Sequence, residues 1–288
     1  MRVLILGAGG MLGHKVWEVF RDRFDCRAAM RTRLPLPLFD DERVIDGFDA
    51  TNFDGVARLI REVKPDVVVN CIGVVKQLAA AHDPIASITL NSLFPHVIAR
   101  ACNDARARTI HISTDCVFAG TRGKYTEDDV PDAVDLYGRS KLLGEVTDGA
   151  LTIRTSIIGR ELRASNGLVE WFLANRGGSV RGFTNAIFSG VTTATLARIL
   201  AAVVEQQPGM HGLYHVAGAA ISKYDLLMML NAAMDAGVAI APDDSFVIDR
   251  SLDATRFESA TGLQPPEWPE MIAALAAESP RYERWRTE

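Results

Sequence analysis

Four consecutive apolar residues, Val3-Leu4-Ile5-Leu6, run directly into Gly7-Ala8-Gly9-Gly10-Met11-Leu12-Gly13. An apolar run this short that ends on glycines reads as a strand buried on both faces, the kind found in parallel sheets covered by helices. Helical spacing follows over residues 14–24. A strand, a glycine loop and a helix at the start of a chain restrict the fold more than any other feature here. Glycines in that turn permit close backbone approach, and the first helical N–H groups and the helix dipole face whatever binds there.

The alternation continues. A weaker strand is read at 26–30, a helix at 53–63, and Lys64-Pro65-Asp66 breaks it before the apolar run Val67-Val68-Val69-Asn70-Cys71-Ile72. Residues 86–105 read as a helix, 109–113 as a strand, 137–146 as a helix and 151–154 as a strand. This order predicts an α/β fold, a Rossmann-like doubly wound parallel sheet. Beyond about 159 the pattern loosens, with helices at 193–205 and 224–236 flanking a strand at 212–216. The tail is rich in Pro, Trp and Asp and reads as a smaller C-terminal substrate domain over the carboxyl edge of the sheet.

Composition removes several function classes. With 288 residues, 48% hydrophobic and 23% charged, the chain suits one large domain with a smaller one attached, not a disordered segment. A net charge of −5 argues against nucleic acid or an anionic membrane as the main partner. Cys26, Cys71, Cys102 and Cys116 are dispersed, with no ligand-like Cys/His spacing. No metal site and no disulfide is therefore expected, and a cytoplasmic location fits. The apolar run at the N-terminus is far too short to span a bilayer.

The glycine spacing is G-x-x-G-x-x-G through Gly7, Gly10 and Gly13, with Leu12 where the dinucleotide fingerprint G-x-G-x-x-G has its last glycine. Between strand and helix it still reads as a dinucleotide phosphate site, alongside the plainer reading of a tight turn. The acidic residue that holds an adenosine ribose after the second strand is missing, and Arg31 and Arg33 stand there instead. An arginine accepts a 2′-phosphate, so NADPH is favoured, with NADH as the alternative. Candidate cofactor contacts are Gly7, Gly10, Met11, Leu12, Gly13, Arg31, Asp49, Ala50, Cys71, Ile72 and Gly73, together with Tyr137 and Lys141.

In such sheets the ligand crevice lies at the carboxyl ends of the strands. Asn70 to Gly73, Ser113-Thr114-Asp115 and Arg154-Thr155-Ser156 all follow apolar strands. Tyr137 and Lys141 share one face of the next helix, four residues apart. Hydride delivery to a ketone creates an alkoxide that must be protonated. Tyrosine, with a reference pKa of about 10, is a weak acid for that task. A nearby Lys141 ammonium is expected to lower it, and Thr114 to hold the carbonyl oxygen. Asn91 is a candidate for holding a water or a helix backbone in a proton relay. Plainer readings stand beside these: Lys141 paired with Glu145 one turn on, Thr114 capping a turn, Tyr137 a helix-start aromatic.

The motifs GAGGMLG at 7–13, HISTDCVFAG at 111–120, LYGRSKLLGE at 136–145, IRTSIIG at 153–159, GLYHVAG at 212–218 and DRSLD at 249–253 span almost the whole chain. In order and spacing they resemble the extended short-chain dehydrogenase/reductases, and among these the dTDP-4-dehydrorhamnose reductase branch. The resemblance implies Thr114, Tyr137 and Lys141 as the catalytic set, with Lys141 also touching the nicotinamide ribose. It implies reduction of the 4-keto group of a nucleotide-linked 6-deoxyhexose for cell-surface polysaccharide. Candidate substrate contacts are Val75, Lys76, Thr114, Asp115, Cys116, Asn166 and Arg250. The domains expected are 1–158 with 187–217 for NADP, and 159–186 with 218–288 for substrate. The partner expected is a nucleotide sugar, and a homodimer is admitted.

Three loops depart from the branch. Residues 72–77 lack its alanine-rich turn, Cys116 replaces a usual tyrosine, and 184–190 lacks the usual Gln and Pro. The base and sugar therefore stay open. Two rivals remain: a nucleotide-sugar epimerase or dehydratase of the same fold, and a non-catalytic nucleotide-binding regulatory subunit. Arg31 and the intact catalytic set argue against them in turn.

Overall fold

The computed structural model describes residues 1–75, 83–163 and 165–287. The first half consists of β1 (Arg2–Leu6), α1 (Gly13–Phe20), β2 (Asp25–Ala29), β3 (Val44–Ile45), α2 (Phe53–Val63), β4 (Val67–Asn70), α3 (Pro84–Ser87), α4 (Phe94–Ala105), β5 (Arg108–Thr114), α5 (Leu136–Leu143) and β6 (Ala150–Thr155). Then come β7 (Ile157–Ile158), α6 (Leu168–Leu173), β8 (Ser179–Phe183), β9 (Ala186–Phe188), β10 (Val191–Thr192), α7 (Thr193–Gln206), β11 (Gly212–His215) and β12 (Ile221–Ser222). The chain closes with α8 (Lys223–Met234), β13 (Ala239–Asp243), β14 (Ile248–Asp249), α9 (Thr255–Thr261) and α10 (Trp268–Thr287).

Seven strands form one parallel sheet in the order β11-β6-β5-β4-β1-β2-β3. This is the doubly wound arrangement expected from the alternation. Successive residues of β1 serve opposite faces: Val3 and Ile5 pack in one core cluster with Trp17 and Leu200, Leu4 and Leu6 in another with Ile60 and Ile98. Helices therefore cover both faces, which is why the strand runs are continuously apolar. The strand order reverses between β1 and β4, so the crevice at their carboxyl ends is flanked by Gly7 to Gly13 and by Asn70 to Gly73.

Local chemistry sets the element ends. Asn52, Asp135, Thr192 and Ser222 each accept a backbone N–H at the start of α2, α5, α7 and α8. Lys64 and Arg106 end α2 and α4 with φ of 49° and 58° in the left-handed region. The helix expected over 86–105 instead divides: α3 passes into a π-helical segment, Ile88–Leu93, before α4. Such insertions are frequent at functional sites, and this one carries Asn91.

The remaining strands are short. β9 pairs with β12 and β14, β8 with β13, and β7 with β10. Bridges Thr121–Asp249 and Tyr125–Leu252 bring the DRSLD segment onto the loop after β5. Helix α10 lies against α1: Lys15 Nζ pairs with Glu278 at 2.6 Å, and Arg281 pairs with Glu18. Among the described residues no helix is long and apolar enough to cross a membrane.

Candidate active site

The glycine loop is dictated by space. Gly7 turns the chain at φ +86°, and a Cβ there would lie 2.7 Å from Ile72 Cγ1. A Cβ on Gly13 would lie 2.1 Å from the Gly7 carbonyl oxygen, and one on Gly10 3.3 Å from the same atom. Gly9 meets only Met30 Cβ, at 4.0 Å. The spacing 7, 10, 13 thus records which positions the turn crowds. The N–H groups of Gly7 and Ala8 donate to Ala29 O at 2.9 and 3.1 Å, and Gly10 N–H to Gly7 O at 3.0 Å. The Met11 and Leu12 N–H groups have no partner among the described residues, at the start of α1. This backbone cradle fits a dinucleotide phosphate.

His14, wholly buried, holds this loop from behind. Its ring nitrogens contact Gly10 O at 2.8 Å and the Tyr282 hydroxyl at 2.7 Å. Burial lowers its pKa to about 4, so it stays neutral near pH 7.

The two candidate arginines at the adenosine end differ. Both are exposed, but the Arg33 guanidinium donates to Val44 O, whereas Arg31 makes no hydrogen bond or ion pair among the described residues and couples to Asp49. Asp49 accepts from Thr51 N–H and Oγ1 at 2.9 and 2.7 Å in a tight turn before buried Ala50.

Residues 71–74 connect the glycine loop to the reaction centre. Cys71 N–H donates to Leu6 O at 3.0 Å, and Ile72 N–H to Asn70 Oδ1 at 3.0 Å. Asn91 accepts from Val74 N–H at 2.8 Å and donates to Val74 O at 3.0 Å and Ser140 Oγ at 3.2 Å. Its amide clamps the 71–74 loop onto α5. A Cβ on Gly73 would lie 3.9 Å from Lys141 Nζ, which brings that ammonium beside the loop.

Thr114 ends β5 and does two things. Its hydroxyl accepts from Cys116 N–H at 3.1 Å, capping the next turn, and donates to Asp115 Oδ1 at 3.0 Å. The capping reading is therefore correct without displacing the other, because Thr114 is also near enough to the Tyr137 phenol to oppose the rise in its pKa. Tyr137 is brought there by Gly138, where a Cβ would lie 2.2 Å from Cys116 O. No larger residue lets α5 approach this turn.

Lys141 is 5% exposed and donates to Ile112 O at 2.7 Å. Burial lowers its pKa to about 8, opposed by the charge of Glu145. The i+4 pair with Glu145 does not form: the Glu145 carboxylate takes Ser113 Oγ at 2.7 Å and Arg154 Nε and Nη2 at 2.8 and 2.7 Å. The expected lowering of the Tyr137 pKa is not found either. Burial raises it, with Cys116 and Asp115 adding and the Thr114 contact opposing. The phenol is protonated near pH 7, the state a proton donor needs.

Towards the C-terminal elements, burial raises the pKa of Asp115, opposed by Thr114, Arg250 and Lys223. Burial also pushes the Cys116 thiol up to about 12. Arg250 Nε donates to Phe118 O at 2.8 Å, and Nη1 lies 3.7 Å from Cys116 Sγ. Val75 is exposed, and Lys76 lies outside the described residues. The Asn166 N–H donates to Glu161 Oε2 at 2.8 Å, next to Gly167, where a Cβ would lie 3.5 Å from Met11 Sδ. Asn166 thus precedes the residue that packs by Met11 of the glycine loop.

Two features were missed in the sequence. Lys223, at the start of α8, faces Asp115 and Cys116. The buried chain Ser113–Glu145–Arg154–His215 braces the floor of the site, with Arg154 Nη1 3.4 Å from His215 Nε2. A lysine opening a helix, against the dipole, was the available signal for Lys223.

Residues 1–280 match the family model described as the RmlD substrate binding domain. The chain is 29% identical to dTDP-4-dehydrorhamnose reductase of Salmonella typhimurium, over 93% of this chain and 94% of that protein. It is 33% identical to methionine adenosyltransferase 2 subunit beta of Rattus norvegicus, over 50% of this chain and 41% of that one. A solved dTDP-4-dehydrorhamnose reductase of Bacillus anthracis, in complex with NADP, matches with a TM-score of 0.82 at 22% identity, over 96% of this chain and 99% of that chain.

Proposed function

Since the chain belongs to the RmlD substrate binding domain family, we propose that it is an NADPH-dependent reductase of the 4-keto group of a nucleotide-linked 6-deoxyhexose. NADPH supplies the hydride when bound. Gly7 to Gly13 would hold its phosphates, Arg31 its 2′-phosphate, and residues 71–73 with Lys141 its nicotinamide end. The observation that carries the reading is the meeting of a protonated Tyr137, Thr114 and a buried Lys141 beside the loop that touches the glycine cradle.

Each group has a separate task. Thr114 orients the sugar carbonyl oxygen by donating to it, which requires its hydroxyl to leave Asp115. Tyr137 gives its proton to the alkoxide as it forms, and burial keeps the phenol protonated until then. The Lys141 ammonium is assigned to the nicotinamide ribose and, with cofactor and substrate bound, to stabilising the developing phenolate. Asp115, Cys116 and Arg250 contact the sugar nucleotide. Residues 1–158 with 187–217 form the cofactor domain in this reading, and 159–186 with 218–288 the substrate domain. The reaction belongs to the cytoplasm, and sedimentation decides whether the working form is a homodimer.

The half-length likeness to a methionine adenosyltransferase subunit favours one rival, a nucleotide-binding subunit without turnover. The intact Thr114, Tyr137 and Lys141 weigh against it. The deciding experiment is NADPH oxidation with a panel of 4-keto nucleotide sugars, dTDP-4-dehydrorhamnose first. Turnover by the wild type and a kcat loss of about 100-fold or more in Tyr137→Phe are expected. No turnover of any sugar, or equal turnover by the variant, overturns the reading.

A further inference from the structure

Lys223 is costly where it stands. It is the first residue of α8, where the helix dipole opposes a cation. The acidic group of that turn is already engaged, since Asp225 Oδ2 accepts from Ser222 Oγ at 2.6 Å. The Lys223 ammonium lies 3.9 Å from the centroid of the Phe188 ring. Among the described residues it makes no hydrogen bond and no ion pair. Ser222 and Asp249 both pair with Ile187 of β9, which brings Lys223 towards Arg250 and the Cys116 turn that it reaches, and the Lys223 charge couples to Asp115 in that turn. One ring face occupies none of the three ammonium donors, which are left to water on this half-buried side chain. The fold thus leaves the donors of a half-buried cation unspent on protein at the edge of the reaction centre.

We propose that Lys223 is a substrate-binding residue whose ammonium donates to an oxygen substituent of the sugar. This rests on the nucleotide-sugar reading above. The ligand chemistry follows from the surroundings. Unspent donors call for acceptor oxygens, and a positive charge here repels a cationic group. Phe188 supplies an apolar surface beside the donors, a pairing that suits a hexose, which has both hydroxyl edges and C–H faces. Arg250 reaches the same turn through Phe118 O and Cys116 Sγ. The Lys223 charge couples to Asp115, next in sequence to the Thr114 that orients the ketone, so it is assigned to the sugar rather than to the diphosphate.

The test uses the full chain loaded with NADP+ and calorimetric titration of two probes, dTDP-L-rhamnose and dTDP. In Lys223→Met, affinity for dTDP-L-rhamnose is expected to fall about 10- to 100-fold, the loss of one charged hydrogen bond. Affinity for dTDP should change less than about twofold, and Lys223→Arg should recover part of the loss. Thermal stability should stay level, because Lys223 makes no hydrogen bond or ion pair to protein among the described residues; a merely structural lysine gives a lower Tm. Equal losses for both probes would assign Lys223 to the diphosphate and overturn the proposal, as would an unchanged affinity for dTDP-L-rhamnose. Failure of the wild type to bind either probe removes the nucleotide-sugar reading itself, a separate result from selective failure of the variant.

Discussion

Glu145→Ala is expected to be among the most destabilising single changes near the site. Glu145 and Arg154 are 6% and 3% exposed, and two nitrogens of the guanidinium meet the carboxylate at 2.7 and 2.8 Å. The carboxylate also accepts from Ser113, and Arg154 stacks over Phe118 at 5.2 Å and reaches His215. Removing the carboxylate leaves a guanidinium in a dry sheet-edge pocket with only imidazole and a ring face beside it. Breaking a buried pair by deleting one partner costs about 3–5 kcal/mol. For a chain of this size each kcal/mol lowers Tm by roughly 2–4 °C, so a fall of about 6–20 °C is expected. Urea titration should show a lower midpoint with an unchanged slope. The double variant Glu145→Leu/Arg154→Met should regain most of the loss, because the cost lies in the orphaned charge and not in the missing contact. A loss under about 1 kcal/mol in the single variant, or a double variant no better than it, refutes this reasoning.

Three further outcomes follow from the geometry. Gly13→Ala should abolish NADPH binding and lower Tm, since its Cβ would meet Gly7 O at 2.1 Å, whereas Gly9→Ala should do neither, its nearest neighbour being 4.0 Å away; fluorescence titration with NADPH separates the two. Arg31→Ala should weaken NADPH about tenfold or more while leaving NADH within about twofold, and Arg33→Ala should spare both because its guanidinium serves Val44 O. His14 and His215 have pKa values lowered to about 4 by burial, against 6.5 unfolded. Stability from these groups is fully present above pH 6.5 and lost as pH falls towards 4, on the order of 3 kcal/mol each, because only the unfolded chain takes up the protons. Urea midpoints measured from pH 7 to pH 4 check this, and a flat profile contradicts it.

What the sequence revealed was short-range. Buried parallel strands are continuous apolar runs, so β1, β4, β5 and β6 stood out, and the sheet and its crevice followed from their alternation with helices. Gly7, Gly10 and Gly13 were legible because crowding in one turn is a local property. Tyr137 and Lys141 were legible because four residues make one helical turn. What stayed hidden depends on distant partners. Glu145 was read as a partner for Lys141 by local spacing, but Arg154 captures it from the neighbouring strand. The π-helical segment around Asn91 has the composition of any helix; Gly144, where a Cβ would lie 1.8 Å from Asn91 O, marks it only once the two are seen together. Lys223 drew no notice because only the pairing of β9 with β12 and β14 brings it towards the Cys116 turn. The two-to-five-residue strands of the C-terminal part are too short for periodicity to register.

The central claim is that hydride passes to the sugar carbon while Tyr137 protonates the oxygen. The most direct measurement is single-turnover reduction of dTDP-4-dehydrorhamnose with NADPH deuterated at the transferring position of C4, read by mass spectrometry and NMR of the sugar. One deuterium at C4 of the product is expected, formed by the wild type and lost in Tyr137→Phe. Unlabelled product, label at another sugar carbon, or undiminished labelling by the variant would contradict it.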